Sequence, residues 1–399
     1  MRIAQVAPLV ESVPPRLYGG TERVIATLVS ELTTLGHDVT LYASGDSTAA
    51  AHLVPIVDQA LWRQGVGVPC NETVYHTVEL SRVIREAPEY DIIHSHLDFL
   101  GLPYGRFSST PFVHTLHGRL DQLELQALYD EFVDAPLISI SNGQLRPLPR
   151  ANWLATVYNG IPVHDVPIGT GTGGYLAFVG RVSREKGVAT AIDVALRAGI
   201  PLKIAARMPL RNLENDWVRA DWAYYQDHVK PLLSHPLIEF VGEVDDHAKY
   251  ELLGGAIGLL FPIDWPEPFG LVMVEALACG TPVIARAMAS ALEIIDHGRT
   301  GYLCSDPASM AAHCEHLESI DRGRCRREAE DRFSARSMAL SYLAAYRALL
   351  EGHSHRDVPA PSRSGLQQPR PHMPTMMQPA SLFQAASHHI HPGAVPPEG

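Results

Sequence analysis

Apolar residues recur along this chain in two rhythms, and their alternation predicts strands interleaved with helices. The opening Met1-Arg2-Ile3-Ala4-Gln5-Val6-Ala7-Pro8 is too short an apolar run for a signal peptide and reads as a first buried strand. Val24, Ile25, Leu28, Val29, Leu32 and Leu35 then form a stripe at helical spacing, with Thr21 as the expected N-cap and Gly36 as the expected stop. Further strands are expected at Asp38 to Ala43, Asp91 to Ser95, Phe112 to Leu116, Leu137 to Ser141 and Leu154 to Tyr158. Strands separated by helices predict a mostly parallel sheet.

The Gly- and Pro-rich stretch 162–174 reads as a linker. A second series follows, with strands near Tyr175 to Val179, Leu202 to Ala206, Ile238 to Val241, Ile257 to Pro262 and Pro282 to Ala285. Met338, Leu340, Tyr342, Leu343, Tyr346, Leu349 and Leu350 mark a final helix. After Glu351 the composition turns to Pro, His, Gln, Ser and Met, which cannot bury enough apolar surface to offset ordering. The expected organisation is an α/β fold with domains at 1–161 and 175–332, joined by linker 162–174. A helix at 333–351 and a disordered tail at 352–399 complete it, with His388, His389 and His391 read as part of a solvated tail.

Composition supports that division and removes some function classes. A chain of 399 residues, 46% hydrophobic, exceeds the single-core limit of about 250–300 residues and can fill two cores. A formal charge of -12 argues against nucleic-acid binding, while leaving room for a local basic patch on a membrane-facing surface. The cysteines, Cys70, Cys279, Cys304, Cys314 and Cys325, are odd in number and form no C-x-x-C pair. That pattern favours reduced thiols in a cytoplasmic protein and argues against structural zinc. No segment approaches the roughly 20 apolar residues that span a bilayer, so we expect a soluble monomer or homodimer, with peripheral contact at the inner membrane face left open.

The densest chemistry lies between Phe261 and Ala285. There Pro266 and Pro268 stiffen a loop carrying Glu267, and a helix starting near Phe269 or Gly270 places Glu275 about one turn inside. Unpaired N–H groups at a helix N-terminus suit phosphate or sugar oxygens, and a restrained carboxylate can accept from a polyol. A capped helix in any α/β protein would explain Glu275 alone. Gly19 and Gly20 precede the first helix and let backbone approach a ligand closely. Gly180-Arg181-Val182-Ser183-Arg184-Glu185-Lys186-Gly187 opens the second half with cations suited to a diphosphate. His94 and His96 close one strand, and His114 and His117 close another; without a carboxylate or cysteine set to complete a coordination sphere, they read as hydrogen-bonded cleft histidines. The Gly19-Gly20 loop after the first strand is not the G-x-G-x-x-G fingerprint, which counts against an NAD enzyme, and the chain has no D-x-D triplet.

The spacing of Glu267 and Glu275 around Phe269-Gly270-Leu271 resembles the two-glutamate signature of glycosyltransferase family 4, whose members are retaining nucleotide-sugar enzymes. That resemblance covers about Met1 to Glu351 and implies the GT-B architecture, two Rossmann-like domains with parallel sheets facing across a cleft. It implies an acceptor-side first domain, a donor-binding second domain, and a last helix that crosses back to the first. By the same resemblance, His117 lies near the anomeric carbon, Glu267 holds sugar hydroxyls and Glu275 the ribose. Arg181 and Lys186 hold the diphosphate, while Gly19, Gly20, Phe269, Gly270 and Leu271 complete the donor site. The partners implied are a nucleotide-diphosphate sugar and an acceptor hydroxyl, with no cofactor and no metal.

Two departures stand out. Tyr158-Asn159-Gly160-Ile161 continues with Pro162 where the family usually has Asp, so this turn reads as a structural connector. Ala287-Met288-Ala289-Ser290-Ala291-Leu292-Glu293 replaces a Gly-rich loop, which narrows the donor site or alters backbone contacts. The alternatives are a nucleotide-sugar epimerase or hydrolase on the same scaffold and a non-catalytic sugar-nucleotide sensor. The stretches Ala49 to Cys70 and Leu120 to Val133 read as variable loops shaping the acceptor side.

Overall fold

A computed structural model describes residues 1–17, 19–64, 72–209 and 216–354. Tyr18, Cys70 and almost all of the expected tail lie outside the described residues. In the first half, β1 (Arg2–Val6), β2 (Asp38–Ser44), β3 (His52–Val57), β4 (Ile92–Ser95), β5 (Phe112–Thr115), β6 (Leu137–Ser139) and β7 (Trp153–Thr156) form a seven-stranded sheet ordered β3-β2-β1-β4-β5-β6-β7. Every neighbour pair is parallel, with Ile3 opposite Val39 on one side and Ile92 on the other. Successive side chains on a strand point to opposite faces, so β1 serves two cores at once. Ile3 packs with the helix Gly20–Thr34, whereas Ala4 and Val6 pack with Leu80 and Val83 of the helix Glu72–Glu86.

The second half repeats the arrangement. Strands β8 (Leu176–Arg181), β9 (Leu202–Arg207), β10 (Ile238–Gly242), β11 (Gly258–Phe261), β12 (Val283–Arg286) and β13 (Gly301–Cys304) form a six-stranded parallel sheet ordered β10-β9-β8-β11-β12-β13. Burial on both faces explains why the central strands β11 and β12 read as nearly continuous apolar runs, whereas the edge strand β10 alternates. In each sheet the strand order reverses once, between β1 and β4 and between β8 and β11. At such a reversal the flanking loops diverge and open a crevice beyond the carboxyl ends of the strands.

The halves are tied where the chain leaves the first and returns to it. The Ile161 N–H donates to the Phe333 carbonyl at 2.9 Å, and the Ala335 N–H donates to the Ile161 carbonyl at 2.8 Å. From there the helix Ala335–Ser354 lays Met338, Ala339, Tyr342, Leu343 and Tyr346 onto the first core, beside the helix Gly20–Thr34.

Some expectations need correction. Thr21 is not the N-cap: the helix begins at Gly20, Gly19 precedes it, and no side chain caps it. Gly36 does follow the helix end, with φ 83, the left-handed geometry that a glycine adopts at low cost. The stretch Ala49 to Cys70 contains β3 and a short turn of helix at Leu61–Arg63, and Leu120 to Val133 contains the helix Leu123–Glu131. β3 is an edge strand carrying Pro55, which obscured its pattern. β13 was also missed, because four residues carry too little periodicity to stand out. Cys279, Cys304, Cys314 and Cys325 are buried thiols, and no described helix is long and apolar enough to cross a membrane.

A Cβ added at Gly160 would lie 2.5 Å from the Ser334 carbonyl oxygen and 2.8 Å from Met338 Cβ. Gly160→Ala is therefore expected to lower the unfolding free energy by about 1–3 kcal/mol, the usual cost of overpacking. Urea titration with an unchanged midpoint would refute this account of the crossing point.

Candidate active site

The carboxyl ends of the two sheets face each other around a cavity of about 490 Å³, lined by every residue expected in the donor site and by His117, whereas His94 and His96, expected in the cleft, are buried behind its wall. Gly19 and Gly20 reach it from the connection after β1, and His117 from just beyond β5. Arg181 ends β8, and Lys186 sits in the turn before the helix Val188–Ala198. Glu267, Phe269, Gly270, Leu271 and Glu275 follow β11. Residues far apart in sequence meet because they stand at the same end of strands at or next to each reversal. His114, in contrast, is buried in β5 and borders a separate cavity of about 360 Å³.

Two turns set the donor-side geometry. Gly187 has φ 76, and a Cβ there would come 2.2 Å from the Pro262 carbonyl oxygen, so only glycine brings Lys186 this close to the loop after β11. Gly270 has φ 83 and precedes the helix Leu271–Ala278, whose fifth residue is Glu275. Lys186 Nζ lies 2.5 Å from Glu267 Oε2, and the Trp265 indole N–H donates to the same oxygen at 2.9 Å. The Lys186 ammonium also stands 5.1 Å from the Trp265 ring, within cation–π range. Arg181 pairs with Glu185. Deeper in, Glu275 accepts from Lys249 Nζ at 2.6 Å, and Lys249 reaches Asp246 at 2.9 Å. Asp246 pairs in turn with Arg23, on the helix Gly20–Thr34 of the opposite half. A ribbon of alternating charge thus crosses the cleft, and buried carboxylates are held by cations rather than left alone.

The first-half wall is built from histidines and one strained acid. His117 Nε2 lies 2.9 Å from His96 Nδ1, and burial pushes the His117 imidazole down to about 4. Asp98, at φ 46, accepts the backbone N–H groups of His117 at 2.8 Å and Gly118 at 3.3 Å. Positive φ in a non-glycine residue costs roughly 1–2 kcal/mol, here at the turn that aims His117. Burial pushes the Glu22 carboxyl up to about 7, at the first turn of the helix that begins with Gly20. Among the described residues, no group of three or more His, Cys, Asp or Glu is arranged to hold a metal.

A model of glycosyl transferases group 1 matches residues 169–336, and one of glycosyltransferase family 4 matches residues 18–161. The chain belongs to glycosyltransferase family 4. It is similar to the glycogen synthase of Mycobacterium tuberculosis, with 26% identity over 357 residues, 75% of this chain and 82% of that protein. In fold it resembles sucrose-phosphate synthase from Thermosynechococcus elongatus, with TM-score 0.71 and 18% identity over 88% of this chain and all of the other. It also resembles Anabaena HepE, solved in complex with UDP-glucose, with TM-score 0.64 and 19% identity over 89% of this chain and all of that one. The facing parallel sheets are those of the GT-B glycosyltransferases.

In this glycosyltransferase the two departures have definite structural consequences. Gly160 and Ile161 make the connector, but Asn159 beside them lines the cavity, with its buried Oδ1 accepting no hydrogen bond among the described residues. The loop before Glu293 places Ala289 at φ 47, a conformation that glycine would adopt without strain. Its purpose is visible in Glu293. That carboxylate takes the N–H groups of Asn142 at 2.9 Å and Gly143 at 2.7 Å and the Tyr158 hydroxyl at 2.9 Å, latching the second domain to the first. The sequence reading also missed Lys249, Asp246 and Arg23, which sit in no recognisable motif, and the Arg207 guanidinium 4.4 Å over the Trp62 ring across the cleft.

Burial of the His117 imidazole makes the fold sensitive to acid. The unfolded chain takes up the ring proton near 6.5 and the folded enzyme only near 4, so the associated stability is intact above that window and lost as pH falls through it. NMR titration of the His117 ring should show a neutral imidazole at pH 6 with a midpoint well below 6.5. A midpoint at or above 6.5 would contradict the burial argument.

Proposed function

We propose that the enzyme transfers a hexose from a nucleotide-diphosphate sugar to an acceptor hydroxyl, with retention of anomeric configuration and without a metal ion. The observation that carries this reading is the placement of Arg181, Lys186, Glu267 and Glu275 around one cavity, opposite the Gly19 and Gly20 backbone. UDP-glucose in the fold relative HepE supports the donor class.

In this reading the second domain holds the donor, with Arg181 and Lys186 at the diphosphate. The bond from the sugar's anomeric carbon to the phosphate oxygen breaks, and the acceptor oxygen bonds to that carbon on the same face. The acceptor's proton passes to the leaving phosphate. Negative charge then grows on the phosphate, where fixed cations act most strongly because they need no reorganisation. Lys186 pairs with Glu267, and Arg181 with Glu185. Donor entry exchanges those partners, leaving Glu267 to accept from sugar hydroxyls and Glu275 from the ribose. His117 stands at the first-domain wall, where it can contact the sugar near the anomeric carbon. Opening and closing about residues 162–174 and the last helix would admit the donor.

Arg181→Ala and Lys186→Ala should each reduce turnover by roughly 10²- to 10³-fold, the scale of one lost preorganised charge stabiliser, in proteins shown by circular dichroism to be folded. Near-normal turnover in both would remove the assignment. Activity should also persist in EDTA; its abolition by the chelator and recovery with Mg or Mn would overturn the metal-independent mechanism.

A further inference from the structure

His94 and His96, which the transfer mechanism leaves idle, belong to a buried hydrogen-bonded chain that starts at His117 and ends on the last helix. His117 Nε2 meets His96 Nδ1 at 2.9 Å, and His96 Nε2 meets Gln5 Oε1 at 2.8 Å. Gln5 Nε2 donates to the Tyr346 hydroxyl at 3.1 Å, which lies 2.7 Å from His94 Nδ1. His94 Nε2 then meets Thr115 Oγ1 at 2.7 Å, and Thr115 donates to the Tyr342 hydroxyl at 3.2 Å. Gln5, His94, Thr115, Tyr342 and Tyr346 are all fully buried, so water cannot repair a mismatched link.

The polarity of this chain can be read from its amide. An amide oxygen only accepts, so His96 must carry its proton on Nε2. A neutral imidazole has one donor and one acceptor, which leaves His96 Nδ1 bare and requires His117 to donate from Nε2. With the Gln5 NH₂ group donating to Tyr346, the Tyr346 proton is directed to His94. His94 passes its Nε2 proton to Thr115, and Thr115 passes its own to Tyr342. Every link therefore points the same way, from the cavity wall to the crossover helix. The rings are neutral, since burial holds His94 and His96 well below the usual imidazole range.

We propose that Gln5 and Tyr346 are positioning residues that fix His117 as its Nε2-protonated tautomer. Its Nδ1 lone pair is then the acceptor this ring offers at the cavity, suited to a ligand hydroxyl proton. The identity of that hydroxyl as a sugar or acceptor hydroxyl rests on the transferase reading; the tautomer itself does not. The first strand and the last helix thus set, through His96, the protonation pattern of a cavity residue.

Long-range ¹H–¹⁵N correlation spectra of the full-length protein, labelled at histidine and recorded without ligand, test this directly. The expected result is a bare Nδ1 and a protonated Nε2 for His117 and His96. Protonation of His117 at Nδ1, which a reversed chain would give, overturns the proposal. Gln5→Leu, which removes the acceptor, should give mixed His117 tautomers, and Gln5→Glu, which keeps an acceptor, should restore one. Should Gln5→Leu fail to fold, Tyr346→Phe keeps the ring and removes the hydroxyl, and an unchanged His117 spectrum there refutes the positioning role. With a nucleotide-sugar donor in hand, Gln5→Leu or Tyr346→Phe should lower kcat about tenfold at unchanged donor KM, the effect of one misdirected hydrogen bond. Absence of transferase activity in every protein, with the tautomer as expected, would sink the transferase reading and leave the relay standing.

Discussion

The facing of two sets of strand carboxyl ends is the constraint on which the rest of this molecule depends. Parallel strands return through helices, so all loops that follow strands gather at one end of each sheet. One such end makes a shelf; two opposed ends make a chamber. The paired hydrogen bonds between Ile161 and the Phe333 to Ala335 turn, together with the last helix packed on the first core, hold the shelves opposite each other. Glu293 adds a second tether by binding the start of the short helix Asn142–Leu145 and the Tyr158 hydroxyl.

Within that chamber, charges of opposite sign are held in close pairs. Lys186 with Glu267 and Lys249 with Glu275 are close pairs with little solvent around them, since the two carboxylates are only 8% and 4% exposed. Removing one partner of such a pair strands a charge in a poorly solvated place, which is costly. An anionic ligand that brings its own charge can instead exchange partners with these cations. The Arg23 and Asp246 contact extends the same ribbon to the first half, so the charges that line the cleft also help to close it.

Apart from Arg23, the first half contributes chiefly shape and hydrogen-bond direction. Desolvation keeps its histidines neutral, and neutral imidazoles are directional: each must have one donor and one acceptor side. Asp98 aims the His117 backbone, while the chain through His96, Gln5 and Tyr346 orders its ring. The crossover helix is thus both a covalent return path and part of the scaffold behind the cleft.

The sequence by itself determined much of this. Apolar runs bounded by Gly and Pro located most strands, because strands buried on both faces are written as continuous hydrophobic segments. The site residues were legible because their chemistry is local: Gly187 and Gly270 need positive φ, and Glu267 sits between two prolines. Short β13 and the proline-bearing edge strand β3 escaped, since their pairing partners rather than their own periodicity define them. Tertiary structure alone decided which distant groups meet. Nothing in the spacing of Gln5 and Tyr346, or of Arg23 and Asp246, announces a contact, because such pairs exist only after two sheets and a returning helix have brought opposite ends of the chain together.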